Sequence, residues 1–319
     1  MNRILVIRGG AIGDFLLTLP TLKALRDACP DAHIEILGYK HVATLAENRF
    51  YAQAVRSIEY GPLSGFFAID SELSTELADY FASFDLIISY LYDPDRIFES
   101  NLGRCGVQKL VQGPAKIIKN GDHATQQLAR PLEKLGVRLI DLTEKVFLSD
   151  EDRQFARTFL RGSSKPIIAI HPGSGSKEKN WPLENWIQLF SIEGALCRSN
   201  AAYVGKQPSI LVVSGEADQT QSAQLKHAWK HRNVRFAENL RLPDLAALLE
   251  HAVFIGHDSG ISHLAAAAGA NCILLFGPTD PDIWAPKNEK VRVLRAESGR
   301  TIDLEIASVE AAITATLSC

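Results

Sequence analysis

The sequence predicts an α/β protein with two tandem domains, each built on a parallel sheet. Its 319 residues are too many for one compact core and suit two domains of about 150 residues each. Short apolar runs alternate with helical patterns from one end of the chain to the other. Since strands covered on both faces read as continuous apolar runs, this alternation indicates parallel sheets between layers of helices.

The first half begins with the apolar run Ile4–Ile7, which predicts a strand. Glycines follow it, and then Phe15, Leu16, Leu19, Leu22 and Leu25 recur at helical spacing. Further short strands are predicted at 33–37, 86–88 and 109–111.

The same pattern restarts after a charged helix at 150–160 and the turn-rich Arg161-Gly162-Ser163-Ser164. Strands are predicted at 165–170, 210–214, 253–255 and 272–276. We therefore expect domains at 1–161 and 162–319, and we expect the last helix, 308–317, to pack back on the first domain. Ligands of such folds bind at the carboxyl ends of the strands, so both sheets are expected to face a shared cleft.

Composition excludes several classes of protein. With 46% hydrophobic and 22% charged residues the chain is ordinarily globular, and a net charge of −3 argues against a nucleic-acid binder. No apolar run reaches the roughly 18 residues of a membrane span, and the amino terminus does not read as a signal peptide. Five scattered cysteines without CxxC spacing disfavour disulfides and zinc, which predicts a cytoplasmic protein.

The loop after the first strand, Gly9-Gly10-Ala11-Ile12-Gly13-Asp14, suits close approach of a ligand to the backbone. A dinucleotide fingerprint does not fit, because GxGxxG would require glycine in place of Arg8. Asp14 has two interpretations. It either complements the helix dipole, worth under about 1 kcal/mol, or acts as a general base at the edge of the sheet.

The second half places polar loops after several strands. One of these loops suits a phosphate-binding loop: His171-Pro172-Gly173-Ser174-Gly175-Ser176, followed by Lys179. It lacks the Gly-Lys-Ser/Thr ending of a Walker A loop, and it is alternatively a simple turn. Glu216 follows another strand, where it either accepts ribose hydroxyls or is a solvated acid.

The segment Asp258-Ser259-Gly260 ends a strand and starts an alanine-rich helix. The first N–H groups of that helix suit a diphosphate, whereas Asp258 and Ser259 alternatively only cap it. His263, one turn further on, faces either the phosphates or the neighbouring strand.

These motifs, in this order, resemble the ADP-heptose:lipopolysaccharide heptosyltransferases, glycosyltransferase family 9. The matching pieces are Gly13-Asp14-Phe15-Leu16-Leu17-Thr18-Leu19-Pro20, His171–Ser176 with Lys179-Asn180-Trp181-Pro182, Asp258–Ala266, and Phe276-Gly277-Pro278-Thr279-Asp280-Pro281. The resemblance implies the GT-B fold, two Rossmann-like domains that hold a sugar acceptor (first domain) and a nucleotide-sugar donor (second domain).

The resemblance implies an inverting transfer of heptose, or a related sugar, from an ADP-sugar to a lipopolysaccharide inner-core or similar glycan acceptor. In it Asp14 is the general base, Lys179 contacts the donor phosphates and Glu216 holds the ribose. The remaining donor-binding residues are expected to be Ser174, Asp258, Ser259, Gly260 and His263. Acceptor binding is expected at Gly13 and in the basic stretch 101–121, at Arg104 and Lys109.

Residues 55–125 carry none of the motifs on which this resemblance rests, so the acceptor is left open. No strand-end pair of acids stands out as a metal site (Asp93-Pro94-Asp95 is a weak candidate), which predicts metal-independent chemistry without a cofactor. The basic stretch also predicts peripheral contact with the cytoplasmic face of the inner membrane. Two alternatives stay open: a nucleotide-sugar 2-epimerase of the same fold, and a non-catalytic nucleotide-sugar-binding protein.

Overall fold

The computed structural model describes residues 2–191, 208–230, 232 and 234–318. The chain divides into two compact units, Met1–Leu142 and Thr143–Cys319. The division precedes the predicted boundary between 161 and 162, because helix α7 (Asp150–Phe159) packs on helix α10 (Leu242–Leu249) of the second unit. Arg153 of α7 also pairs with Glu250, with Nη2 2.9 Å from Oε1.

The described residues of the first unit form a five-stranded sheet in the order β3-β2-β1-β4-β5, with every pairing parallel. Its strands are β1 (Arg3–Arg8), β2 (His33–Gly38), β3 (Ala54–Ser57), β4 (Leu86–Ser89) and β5 (Leu110–Gln112). Its helices are α1 (Ile12–Leu16), α2 (Leu19–Ala28), α3 (Lys40–Ala43), α4 (Thr75–Ala82), α5 (Ile97–Arg104) and α6 (Ala124–Glu133), with a 3₁₀ segment at Gly61–Phe67.

The described residues of the second unit form a six-stranded parallel sheet in the order β11-β10-β9-β6-β7-β8. Its strands are β6 (Ile167–His171), β7 (Ser209–Ser214), β8 (Val234–Glu238), β9 (Val253–His257), β10 (Asn271–Phe276) and β11 (Val291–Arg295). Besides α7 and α10, its helices are α8 (Leu183–Leu189), α9 (Gln219–Ala228), α11 (Gly260–Ala268), α12 (Pro281–Trp284) and α13 (Ile306–Leu317). Short 3₁₀ turns lie at Lys177–Lys179, Glu216–Asp218 and Thr301–Asp303.

The predicted strands are present, and the structure adds three that the apolar pattern did not indicate: β3, β8 and β11. All three are edge strands. Their residues are mostly half-buried, in contrast to the fully buried centre of each sheet, because an edge strand has fewer neighbours to cover it.

The carboxyl-terminal helix contributes to the core of the second unit. Val309, Ala312 and Ile313 of α13 are fully buried in the core of the second unit, together with Trp181 and Trp186. Helix α13 packs against α8, β9 and β10 there. Its apolar face is therefore used within the second unit, and packing of this helix on the first domain stays a prediction.

In both sheets the strand order reverses beside the first strand of the unit, between β1 and β4 and between β6 and β9. Such reversals open a crevice at the carboxyl ends of the strands, where α/β proteins bind their ligands. Asp14 follows β1, and Asp258 follows β9. Among the described residues, no helix combines the length and the apolar character that crossing a bilayer requires.

Candidate active site

The loop between β1 and α1 holds Asp14 in a defined position. The Ala11 N–H donates to Asp14 Oδ2 at 2.9 Å, which closes the first turn of the helix. Gly10 has φ 98°, and a Cβ added there would lie 2.7 Å from Asp14 Oδ2. Both the left-handed backbone and the closeness of the carboxylate therefore require glycine at this position.

Arg8, the last residue of β1, holds Asp14 in place through its guanidinium group. Its Nη2 donates to the Asp14 backbone O at 3.0 Å and lies 3.6 Å from Asp14 Oδ1. Its Nε donates to Thr18 Oγ1 at 3.0 Å, and Thr18 Oγ1 donates to the Asp14 O at 2.8 Å. The side chain of Arg8 is 6% exposed while that of Asp14 is 40% exposed. Asp14 is therefore an accessible carboxylate whose position is fixed by contact with a buried cation.

Burial lowers the pKa of Arg8, whereas the charge of Asp14 raises it. The guanidinium carbon also lies 5.4 Å from the centroid of the Tyr90 ring, and the Tyr90 hydroxyl donates to the Leu128 O at 2.8 Å. Burial raises the pKa of Tyr90, so a neutral aromatic ring packs against the guanidinium of Arg8. In the sequence, Arg8 stands out only as a departure from a glycine fingerprint, and nothing in that pattern indicates its position beside Asp14.

In the second unit, three predicted or motif residues come together after different strands. Lys179 Nζ donates to Asp258 Oδ2 at 2.6 Å, and Thr279 Oγ1 donates to the same oxygen at 2.7 Å. Asp258 is almost buried, and Lys179 is more exposed. Asp258 therefore holds the ammonium of Lys179 beside the start of α11, which places one cation at a helix N-terminus.

A buried histidine–aspartate pair lies behind this helix start. His171 at the end of β6 has Nε2 2.9 Å from Asp218 Oδ2, and both side chains are buried. Ser259, the N-cap of α11, has its Oγ 3.4 Å from His171 Nδ1 and accepts from the Ser262 N–H. The sequence marked His171 and Ser259 but not Asp218, which precedes α9 in a 3₁₀ turn.

His257, which ends β9, is a second buried imidazole. Its Nε2 accepts from the Trp181 N–H at 2.8 Å, so Nδ1 carries the hydrogen that faces the Gly173 O at 3.2 Å. Burial is the main reason that the pKa of His257 is lowered to about 4. His257 is therefore a neutral brace between the loop after β6 and the strand that leads to Asp258.

His263 has a partner that the sequence did not suggest. Its Nδ1 lies 2.8 Å from Oε1 of Glu144, a fully buried carboxylate near the start of the second unit. Asn288 fixes Glu144 through both main-chain groups, with distances of 3.3 Å to its N and 2.8 Å to its O. The contact of His263 with donor phosphates stays a prediction, because one ring nitrogen is committed to Glu144.

The other predicted residues separate into two groups. Ser174 Oγ lies 2.6 Å from Asn180 Oδ1 and thus organises its own loop, Glu216 is exposed after β7, and Gly260 begins α11. Gly13 lies in α1 beside Asp14. Arg104 and Lys109, by contrast, lie at the end of α5 and before the start of β5. They are therefore at the amino ends of the parallel strands, whereas Asp14 follows the carboxyl end of β1. The structure does not bring them to Asp14.

Within the described ranges, no group of three or more His, Cys, Asp or Glu side chains is arranged to hold a metal ion. Metal-independent chemistry stays a prediction, since this observation does not bear on the reaction. The Asp93 carboxylate instead accepts the N–H groups of Phe98 and Glu99 at 3.2 and 2.9 Å, which caps the start of α5.

Two parallel-sheet α/β units with polar strand-end loops at their switch points form the fold of the GT-B glycosyltransferases, and the fold prediction is confirmed. The family model "Glycosyltransferase family 9 (heptosyltransferase)" matches residues 123–313. This chain belongs to that family and is a glycosyltransferase.

Known relatives agree with this assignment. The chain is 25% identical over 298 residues to lipopolysaccharide heptosyltransferase 3 of Escherichia coli strain K12, covering 88% of this chain and 83% of the relative. The structure of ADP-heptose lps heptosyltransferase II of E. coli superposes with a TM-score of 0.76 at 17% identity, covering 99% of this chain and 98% of that one. The E. coli heptosyltransferase WaaC with ADP gives 0.69 at 18% identity, covering 98% and 99%.

Proposed function

We propose that this protein transfers heptose from ADP-heptose to a lipopolysaccharide inner-core or similar glycan acceptor, with inversion at the anomeric carbon. The observation that carries the proposal is the family match over 123–313, which contains every strand-end loop of the second unit. Support for the nucleotide comes from E. coli WaaC, whose structures are described with ADP and with ADP-2-deoxy-2-fluoro heptose.

In the proposed reaction Asp14 is the general base. Its carboxylate takes the proton from an acceptor hydroxyl while the acceptor oxygen forms a bond to the anomeric carbon. The bond between that carbon and the diphosphate oxygen breaks, and ADP leaves with its electron pair. The transition state has oxocarbenium character, as in glycoside hydrolysis. The exposure of Asp14 and its anchoring by Arg8 support this role, because a base must be both reachable and fixed.

The leaving diphosphate is stabilised by positive groups of the second unit. Lys179 supplies an ammonium, and α11 supplies the free N–H groups of its first turn next to Ser259. Ser174, Asp258 and Gly260 shape the same loops, and Glu216 is proposed to hold the ribose. These groups supply the charge that a divalent cation supplies in other transferases, and we propose a metal-independent reaction on that ground.

The residues proposed for the acceptor side lie in two places. Gly13 lies next to the base, whereas Arg104 and Lys109 would contact an acceptor or an anionic membrane surface only at the amino ends of the strands of the first sheet. We propose that they bind the membrane in which a lipid-linked acceptor is embedded. Binding to anionic liposomes that weakens with salt and with Arg104→Ala supports this, and salt-insensitive binding contradicts it.

The test of the proposed function is acceptor-dependent release of nucleotide. The purified protein is incubated with ADP-heptose, UDP-glucose or GDP-mannose, with and without heptose-deficient lipopolysaccharide. We expect ADP release from ADP-heptose that requires the acceptor, and a heptosylated product. Isomerised sugar without acceptor would indicate the epimerase instead, and binding without turnover would indicate a non-catalytic protein.

A further inference from the structure

The buried pair His171–Asp218 has no part in the reaction above, yet it touches the residue that begins α11. The pair is joined at 2.9 Å between Nε2 and Oδ2, and His171 is only 3% exposed. Gly173 packs so closely on the Asp218 carboxylate that a Cβ would collide with it. The loop after β6 is therefore built around this pair.

The hydrogen-bond roles of His171 follow from its partners. Burial raises the pKa of Asp218, but the hydrogen bonds from His171 and from the Gly215 backbone lower it, and this pKa lies below its usual value, so Asp218 is ionised. A carboxylate only accepts, and Nε2 of His171 must therefore carry a hydrogen. In neutral His171 the other nitrogen, Nδ1, is then an acceptor that attracts the hydroxyl hydrogen of Ser259, 3.4 Å away.

The remaining neighbours of Ser259 also compete for this hydrogen. The Ser262 hydroxyl donates to the His257 O, so its oxygen is an acceptor in its contact with Ser259 at 3.3 Å. With neutral His171, the Ser259 hydroxyl thus has two acceptors inside the protein and is not directed at an incoming anion. Protonated His171 reverses one of these contacts, because Nδ1–H then donates to Ser259 Oγ.

Charge favours the same change. Asp218 is paired with His171, and His257 is close enough to interact with it electrostatically. Asp258, with its partner Lys179, lies on the other side of His257 as the next charged pair of this cluster. His257 stays neutral because burial lowers its pKa to about 4. The set therefore holds one more carboxylate than it holds cations while His171 is neutral. This net negative charge offsets part of the attraction that the first-turn N–H groups of α11 exert on a diphosphate, and one proton on His171 cancels it.

We propose that His171 is a positioning residue that takes up a proton when a nucleotide diphosphate binds at Ser259, releasing the Ser259 hydroxyl toward the phosphate. The inference rests on the proposed function, since it takes the start of α11 as the diphosphate site. Protonated His171 stays paired with Asp218 through Nε2–H and donates to Ser259 through Nδ1–H. Asp218 thus acts as the counterion that stabilises the buried imidazolium.

Isothermal titration calorimetry of ADP in buffers of different ionisation enthalpy measures the protons taken up on binding. The variants are wild type, His171→Gln, Asp218→Asn and, as a matched control, His251→Gln, whose imidazole is exposed on the same unit. The titrations run between about pH 7 and pH 9, above the second phosphate pKa of about 6, so that the nucleotide itself contributes little.

We expect wild type and His251→Gln to take up a fraction of a proton that approaches one, with ADP affinity falling by up to about tenfold per pH unit as pH rises. His171→Gln is expected to lose this uptake. Asp218→Asn is expected to show it only at lower pH, because the imidazolium has lost its counterion. Circular dichroism and a melting curve establish that each variant is folded.

Equal proton uptake by wild type and His171→Gln, with ADP bound in both, would overturn this inference and leave the proposed function intact. Failure of wild type to bind ADP at any pH would overturn the proposed function, and the inference with it. The two failures are thus distinguished in the same set of titrations.

Discussion

The strand-end sites of the two units are built in opposite ways. The first presents one half-exposed carboxylate, Asp14, on a buried arginine. The second presents a network in which Lys179, Asp258 and Thr279 satisfy each other in front of a buried His171–Asp218 pair. A base has to be reached by the substrate, whereas an anion site gains from donors that are fixed beforehand. The difference in burial thus matches the difference in proposed chemistry.

The largest effect is expected from removing the base. The amide of Asp14→Asn keeps the hydrogen bond from the Ala11 N–H, but it cannot take the proton from the hydroxyl of the acceptor sugar. We expect turnover to fall by about a thousandfold, in the range for lost general-base catalysis. The measurement is the initial rate of ADP release with saturating donor and acceptor. Turnover within tenfold of wild type would contradict the role of Asp14.

Acid is expected to destabilise the second unit through His257. Its pKa in the folded protein is about 4, below the value of about 6.5 in the unfolded chain, so the unfolded chain binds more protons between these values. Stability is therefore expected to fall by about 3 kcal/mol as pH decreases from about 6.5 to about 4. Urea unfolding against pH measures this slope.

His257→Gln tests the assignment of that slope. The variant is less stable at neutral pH, because the contacts with Trp181 and Gly173 are altered, but its stability is expected to depend less on pH in the same window. His251→Gln, an exposed histidine, is the control and is expected to keep the wild-type slope. An unchanged slope in His257→Gln would show that another group titrates.

Lys179→Ala is expected to weaken ADP binding by about 2–3 kcal/mol, the cost of losing a charge-assisted contact in a partly buried site. The change also leaves Asp258 without its cation, which adds to repulsion of the diphosphate. Lys177→Ala is the matched control, since Lys177 lies in the same 3₁₀ turn with an exposed side chain. Similar losses in both variants would point to the net charge of the loop instead of a specific contact.

The smallest expected effect separates backbone strain from displacement of Asp14. Gly10→Ala and Gly106→Ala both place a side chain at positive φ, 98° and 87°, and each is expected to cost about 1 kcal/mol of stability. An added Cβ meets Asp14 at Gly10 and nothing within 4 Å at Gly106. Only Gly10→Ala is expected to reduce kcat, by about tenfold. Equal kcat values would show that Asp14 tolerates displacement.

The sequence predicted the central strands and the residues that follow them, because buried apolar runs and strand-end glycines are local signals. It predicted the edge strand β5 but not the edge strands β3, β8 and β11, whose residues are mostly half-buried and mixed in polarity. It also missed the partners Glu144 for His263 and Asp218 for His171, which lie 119 and 47 residues away in the chain. Such pairs arise from packing of distant elements, which spacing along one sequence does not reveal.

The roles of several predicted residues follow the same rule. Asp14 and Lys179 were marked by their position after a strand, and the structure shows what holds each of them. For Arg104 and Lys109 the sequence offers only their charge, and the alternation of helix and strand places them at the amino end of the parallel sheet, away from Asp14. The charge of a residue does not indicate at which end of the sheet it lies, whereas a residue that directly follows a strand lies at the carboxyl end.

The most direct test compares ADP affinity and acceptor-dependent turnover in the same preparations of Asp14→Asn and Lys179→Ala. We expect opposite outcomes: Asp14→Asn binds ADP like wild type and loses nearly all turnover, while Lys179→Ala loses ADP affinity. If both variants lose ADP affinity to the same degree, or if Asp14→Asn transfers heptose at the wild-type rate, the assignment of base and anion site to different units is contradicted.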